Sequence, residues 1–347
     1  MDLALLKRID AWRSEGRKVA IATVLETWGS APRRPGAEML MGFGDDARDI
    51  AVEGSVSGGC VEAAVIELAR TVLDSGRAVQ VDYGVSDGDA RALGLACGGR
   101  LAVLVESHEG EHAQAEEAGI RAALEGRGQA LRFVLGEGDR IGHSLLWDGE
   151  RAIGSLGDEV LDRRAIDSAS TTRRAGWLAL SDAPKIFVRP HRSPERLILV
   201  GAVHIAQALA RLAPALGFEV AVIDPRATFA TPARFPEVES LVVGWPDPAS
   251  LQSLGLGAGA SLVVLAHDPK IDDPALEAGL NAGASYVGAL GSRRSHAARV
   301  ERLCERGLVE ADIARIRAPV GLDIGAETPE EIALSILAEV VRDRYRT

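Results

Sequence analysis

Glu195-Arg196-Leu197-Ile198-Leu199-Val200-Gly201-Ala202-Val203-His204-Ile205-Ala206 is the stretch that decides the fold of the C-terminal half. Arg196–Val200 is an apolar run of strand length, closed by a glycine, and the residues after it have helical spacing. The spacing predicts a strand over 196–200 and a helix over 203–216. Working outward, strands are expected over 219–223, 240–243, 261–266 and 285–288, and helices over 273–282, 295–306 and 328–343. Strands that alternate with helices imply a parallel sheet joined by crossover helices. Residues 195–347 therefore read as a C-terminal Rossmann-like domain with a doubly wound parallel sheet, of the α/β class.

The turn itself is Gly201-Ala202-Val203-His204-Ile205-Ala206. A dinucleotide fingerprint places Gly-x-Gly-x-x-Gly/Ala here, the middle glycine allowing backbone to approach a pyrophosphate. Gly201 and Ala206 fit. Val203 stands at the middle glycine, and its branched side chain argues against NAD(P). Asp224 ends the second strand, where a ribose-binding acid is expected, and Arg226 is placed to hold a 2′-phosphate instead. Two further segments should reach the same end of the sheet: His267-Asp268, and Gly288-Ala289-Leu290-Gly291-Ser292-Arg293-Arg294. Glycine turns, a helix N-terminus and two arginines suit an anion. His204, His267 and Asp268 are candidate acid–base groups. The expectation is one crevice lined by Gly201, His204, His267, Gly291, Arg293 and Arg294.

The first 190 residues have a different texture and read as an N-terminal α+β domain, with His191-Arg192-Ser193-Pro194 as linker. A helix over 2–14 leads to strands over 19–25, 37–41 and 50–56, interrupted by the Gly/Pro-rich loop Trp28–Gly36. Ser57-Gly58-Gly59 then turns into a helix expected over 60–73. Cys60 would sit at its N-terminus, where the helix dipole favours thiolate. Cys97 lies in a second glycine loop, Gly94–Gly99. Two thiols beside glycine turns are soft ligands, suited to a metal or a sulfur-bearing cofactor, or to persulfide chemistry. Arg33, in the first loop, would supply charge to a phosphate. Cys304 shares a helical spacing with Val300 and Leu303 and reads as inert core.

Bulk properties narrow the classes. The chain has 347 residues, enough for two cores. Its net charge of -11 and 4% aromatic content offer neither the basic footprint nor the stacking platform of a nucleic-acid binder. No apolar run is long enough to span a bilayer. Three cysteines give no disulfide framework and no zinc spacing, so a cytoplasmic protein with free thiols is expected.

An ordered set of segments resembles the XdhC/CoxI family of accessory proteins for xanthine and carbon monoxide dehydrogenases. They are Ala22–Val24 with Gly29–Arg33, Gly54–Glu62 (GSVSGGCVE), Gly94–Gly99 (GLACGG), Asp224–Arg226, Phe235-Pro236, His267–Lys270, Tyr286–Arg294, Ala318–Gly325 and Thr328–Ala333. The resemblance implies a protein that binds the molybdenum cofactor, supports its sulfuration by a cysteine desulfurase and delivers it to a molybdenum hydroxylase. It also implies a homodimer, and a cofactor chaperone or insertase rather than a free-standing enzyme. Cys60 and Cys97 fall on cysteine positions of the family motifs and are the expected metal ligands and reactive groups, facing a cleft shared with the C-terminal domain. Gly58, Gly59, Arg33, Gly201, His204, Asp224, Arg226, Gly291, Ser292, Arg293 and Arg294 are the expected cofactor contacts. Val203 is a departure, since the family commonly shows Gly-Ala-Gly-His. The rival readings are an NAD(P)-dependent oxidoreductase with His204 or His267 as proton donor, and a catalytically silent interaction module.

Overall fold

The computed structural model describes residues 2–345 apart from 31–32, 47, 85–98, 127 and 173. The chain forms two compact units, 1–193 and 194–347.

The first unit opens with α1 (Leu3–Ser14), started by the Asp2 carboxylate, which accepts from the Leu5 amide. Then come β1 (Lys18–Trp28), β2 (Glu38–Phe43), β3 (Ile50–Gly54), α2 (Glu62–Ser75), β4 (Val79–Tyr83), β5 (Arg100–Ser107) and α3 (Gly110–Glu125). The five strands form an antiparallel sheet in the order β3-β2-β1-β5-β4. Its two faces are both apolar. Ala20, Ala22, Val24, Met39 and Met41 face α2 through Val65, Ala69 and Val72. The alternate residues Val19, Ile21 and Leu40 pack with Leu6, Ile9 and Trp12 of α1. A strand buried on both faces reads as a continuous apolar run, which is why β1 is buried from Val19 to Leu25. A second antiparallel sheet holds β6 (Gln129–Leu135), β7 (Ser144–Trp147), β8 (Ala152–Gly154), β9 (Gly176–Trp177) and β10 (Ile186–Arg192), with α4 (Glu159–Asp167) beside it. β10 pairs with β6 through Arg192↔Gln129, and His191 is buried. The expected linker at 191–194 therefore shrinks to its last two residues, because the strand runs on.

The second unit contains β11 (Glu195–Val200), α5 (His204–Leu212), β12 (Phe218–Asp224), β13 (Ser240–Val243), α6 (Pro248–Ser253), β14 (Ser261–Val264), α7 (Pro269–Asn281), β15 (Tyr286–Ala289), α8 (Arg293–Glu305), α9 (Glu310–Ile313), β16 (Ile316–Arg317) and α10 (Pro329–Arg344). The strands are all parallel and lie in the order β13-β12-β11-β14-β15-β16. That is the doubly wound order with its switch between β11 and β14. Alternation along the strands fills two separate cores. Leu197, Leu199, Val220, Val222 and Val263 meet Leu209 of α5 and Ile336 and Val340 of α10. Ile198, Val200, Ile223, Leu262 and Val264 meet Leu251 of α6 and Leu276 of α7 on the other face. No helix among the described residues is long and apolar enough to cross a membrane.

Candidate functional site

In the second unit, parallel pairing brings the turns after β11, β14 and β15 to one end of the sheet. Val200 sits opposite both Ile223 and Val264, and Val264 opposite Ala289. The residues that follow these strands, Gly201, Ala266-His267 and Gly291, are therefore neighbours at the switch point. Gly201 has φ +104°, and a Cβ there would lie 2.7 Å from the Ala266 amide nitrogen, so only glycine lets the two turns close together. A Cβ on Gly291 would lie 3.7 Å from Cε1 of His267. His267 itself takes φ +59°, a left-handed conformation uncommon for residues other than glycine and one that recurs at functional sites. His267, and His204 at the first position of α5, are both exposed.

Several expected contacts have other duties. Asp224 is fully buried, and its carboxylate accepts from the Ala202 amide (2.7 Å), the Arg226 amide (2.8 Å), Arg226 Nε (2.8 Å) and Arg226 Nη2 (2.6 Å). Burial works to raise its pKa, but Arg226 and the two amides hold it below the usual aspartate value. Four acceptor positions are in use, so the carboxylate clamps the Gly201 turn to Arg226. Arg226 is bound to that carboxylate and stacks on Phe229 at 4.5 Å. Asp268 caps α7 by accepting from the Lys270 amide at 2.9 Å, and Ser292 caps α8 by accepting from Ser295. Arg293 and Arg294 are exposed in the first turn of α8. Val203 is the N-cap residue of α5 and packs partly buried against the core.

In the first unit the glycine turn is built around Glu62. Helix α2 starts at Glu62 with Val61 as its cap residue, so Cys60 precedes the helix rather than opening it. One oxygen of Glu62 accepts from Ser55 Oγ (2.7 Å) and the amides of Ser57 and Gly58 (both 2.9 Å). The other accepts from Ser57 Oγ (2.5 Å) and the amides of Gly59 (2.8 Å) and Val61 (3.2 Å). Burial pushes this carboxyl up, yet the serine hydroxyls and backbone amides outweigh it and hold it at about 2. Gly58 and Gly59 have φ +89° and +120°, values that let consecutive amides converge on one anion. Cys60 stands exposed on this turn. Arg33 Nε donates to the Ser55 carbonyl at 3.1 Å, so the first loop docks on the same turn. Cys97 lies outside the described residues. Among those described, no group of three or more metal-ligating side chains comes together.

Cys304 departs from the sequence expectation. It is exposed, because the buried stripe of α8 runs through Arg299 and Leu303 and leaves Cys304 about 100° further round the helix. Glu62 has no role in the motif reading, although an acid in the first helical turn after two glycines is a readable signal. Asp272 and Arg299 escape sequence reasoning entirely. They are nearly fully buried, 3.7 Å apart, between α7 and α8 beneath the crevice, where Arg299 Nη2 donates to the Leu290 carbonyl.

Fold and site define a two-unit protein in which an α+β unit presents a clamped cysteine turn and a Rossmann unit presents a polar switch-point crevice. Both units match one family. The sequence pattern of the XdhC and CoxI family covers residues 12–84, and that of the XdhC Rossmann domain covers residues 197–340. The chain belongs to the XdhC/CoxI family. It is 29% identical over 340 residues to a Bacillus subtilis protein named as a probable xanthine dehydrogenase subunit, with 97% of both chains covered. It is also 29% identical over 329 residues to the Escherichia coli molybdenum cofactor insertion chaperone PaoD, covering 95% of this chain and 84% of PaoD. It is 35% identical over 160 residues to the E. coli protein YqeB, but spans only 29% of that longer protein. Its fold matches a crystal structure described as a xanthine dehydrogenase from Bacillus halodurans, with TM-score 0.79 at 23% identity over 99% of this chain and 96% of that one.

Proposed function

We propose that this protein binds the molybdenum cofactor, supports its sulfuration by a cysteine desulfurase, and inserts it into a molybdenum hydroxylase of the xanthine dehydrogenase type. The observation that carries the reading is kinship along both units to a relative named as a molybdenum cofactor insertion chaperone. The chemistry of the donor groups agrees with it. The cofactor has a soft end, molybdenum on a dithiolene, and a hard end, a phosphate. Cys60, in the first unit, is an exposed thiol of the kind that suits a soft metal, and Arg293 with Arg294, in the second, are by themselves of the kind that suits an anion. A transient carrier needs accessible donors, and all three are exposed. The working form is a cytoplasmic homodimer that meets the desulfurase and the apoenzyme in turn.

The oxidoreductase alternative has the strand order in its favour, but Val203 stands at the turn and Asp224 has its acceptor positions taken. Purification from a molybdenum-replete host separates the two. The expected result is molybdenum and pterin in comparable amounts, with weak NAD(P) binding that Val203→Gly tightens. Tight NADP binding by the native protein, without pterin, would overturn the proposal.

A further inference from the structure

The clamp around Cys60 has more contacts than a helix start requires. The amide before Cys60, of Gly59, and the amide after it, of Val61, both donate to the same oxygen of Glu62. The amide of Cys60 itself donates to Ser57 Oγ at 3.0 Å, and that hydroxyl donates to the same Glu62 oxygen. Three consecutive peptide units are thus fixed by one carboxylate, two directly and one through a serine. Ser57 is buried, so the bridge is shielded, while Cys60 is left exposed.

We propose that Glu62 is the positioning residue for Cys60, holding the backbone on both sides of the thiol so that it is presented to an incoming soft metal centre. The inference rests on the reading of Cys60 as a cofactor ligand. A two-glycine turn at positive φ has large conformational freedom when untethered, and that freedom is lost to the clamp.

The test is amide hydrogen exchange across Gly58–Val61 in the full chain, alongside molybdenum and pterin content after purification. In Glu62→Gln the exchange of these amides should rise by about tenfold or more, with cofactor content down by about threefold or more. Glu62→Asp is one methylene short, so its cofactor content should fall in the same direction. Ser57→Ala, which removes only the bridge, should also lower cofactor content and serves if a Glu62 variant fails to fold. A folded Glu62→Gln with native amide exchange and native cofactor content would overturn the proposal, as would full retention by Glu62→Asp. Should Cys60→Ser keep its full cofactor while Glu62→Gln still speeds exchange, the clamp stands and the ligand reading of Cys60 falls.

Discussion

Gly201 at the crevice and Asp272 buried beneath it show how differently two residues are written in the sequence. Gly201 was legible because a glycine closing an apolar run signals a turn, and the geometry supplies the reason in the 2.7 Å approach of a would-be Cβ to Ala266. Gly201→Ala should cost about 1–3 kcal/mol or more in chemical denaturation of the C-terminal unit, whereas an unchanged midpoint would mean the turn relaxes freely. Asp272 was not legible, since one aspartate in a charged helix start looks solvated. Burial pushes its carboxyl up to about 6, Arg299 opposing and Asp273 and Asp268 adding to the rise. A carboxyl raised above its unfolded value of 3.8 favours the fold while neutral, so its contribution is present below that value and is lost as pH rises through about 6. Glu62 and Glu116, both held at about 2, act in the opposite sense and at lower pH. Stability measured against pH should therefore fall between about 4.5 and about 6, and Asp272→Asn should flatten that slope whatever its absolute stability. An equal slope in the variant would assign the effect elsewhere.

Helix α7 begins at Pro269, four residues before its expected start, and the reason is chemical. Asp268 caps it and proline is favoured at the first helical position, but the apolar periodicity is masked by Asp272 and Asp273. Those acids are buried by arginines from α8: Arg302 meets Asp273 at 2.6 and 3.0 Å, and Arg299 lies 3.7 Å from Asp272. Long-range pairing of this kind leaves no local signal. The same holds in the first unit, where Arg132 on β6 binds Glu106 of β5 at 3.1 Å and Glu116 of α3 at 2.8 Å, joining its two sheets. Burial works to raise the Glu116 carboxyl, but the Arg132 charge with His112, Ser144 and Arg132 hydrogen bonds holds it down. Arg132→Met would strand two carboxylates at a buried seam and should destabilise the N-terminal unit by about 3–5 kcal/mol. A loss below about 1 kcal/mol in thermal or denaturant unfolding would show that the pairs are solvated in practice.

Across the molecule, the alternation of strands and helices after residue 195 made the parallel sheet readable, because each crossover obeys local periodicity. The two antiparallel sheets of the first unit were read only as scattered strands, since their pairings are set by contacts between distant segments such as β10 and β6. The candidate residues of each unit divide in the same way. Cys60, Gly201, His267 and Gly291 could be picked out from turns, whereas the Glu62 clamp and the capture of Arg226 by Asp224 depend on side-chain geometry. The central claim is that this chain carries a molybdenum cofactor and hands it on. Its most direct measurement is transfer: protein purified with its cofactor is mixed with cofactor-free xanthine dehydrogenase, and hydroxylase activity is followed together with the molybdenum passed between the two. The account predicts that activity appears in proportion to molybdenum transferred, and that Cys60→Ser, folded but depleted in molybdenum, supports little of either. Native protein that holds no molybdenum or pterin, or a Cys60→Ser variant that loads and activates the apoenzyme as fully as the native chain, would contradict it.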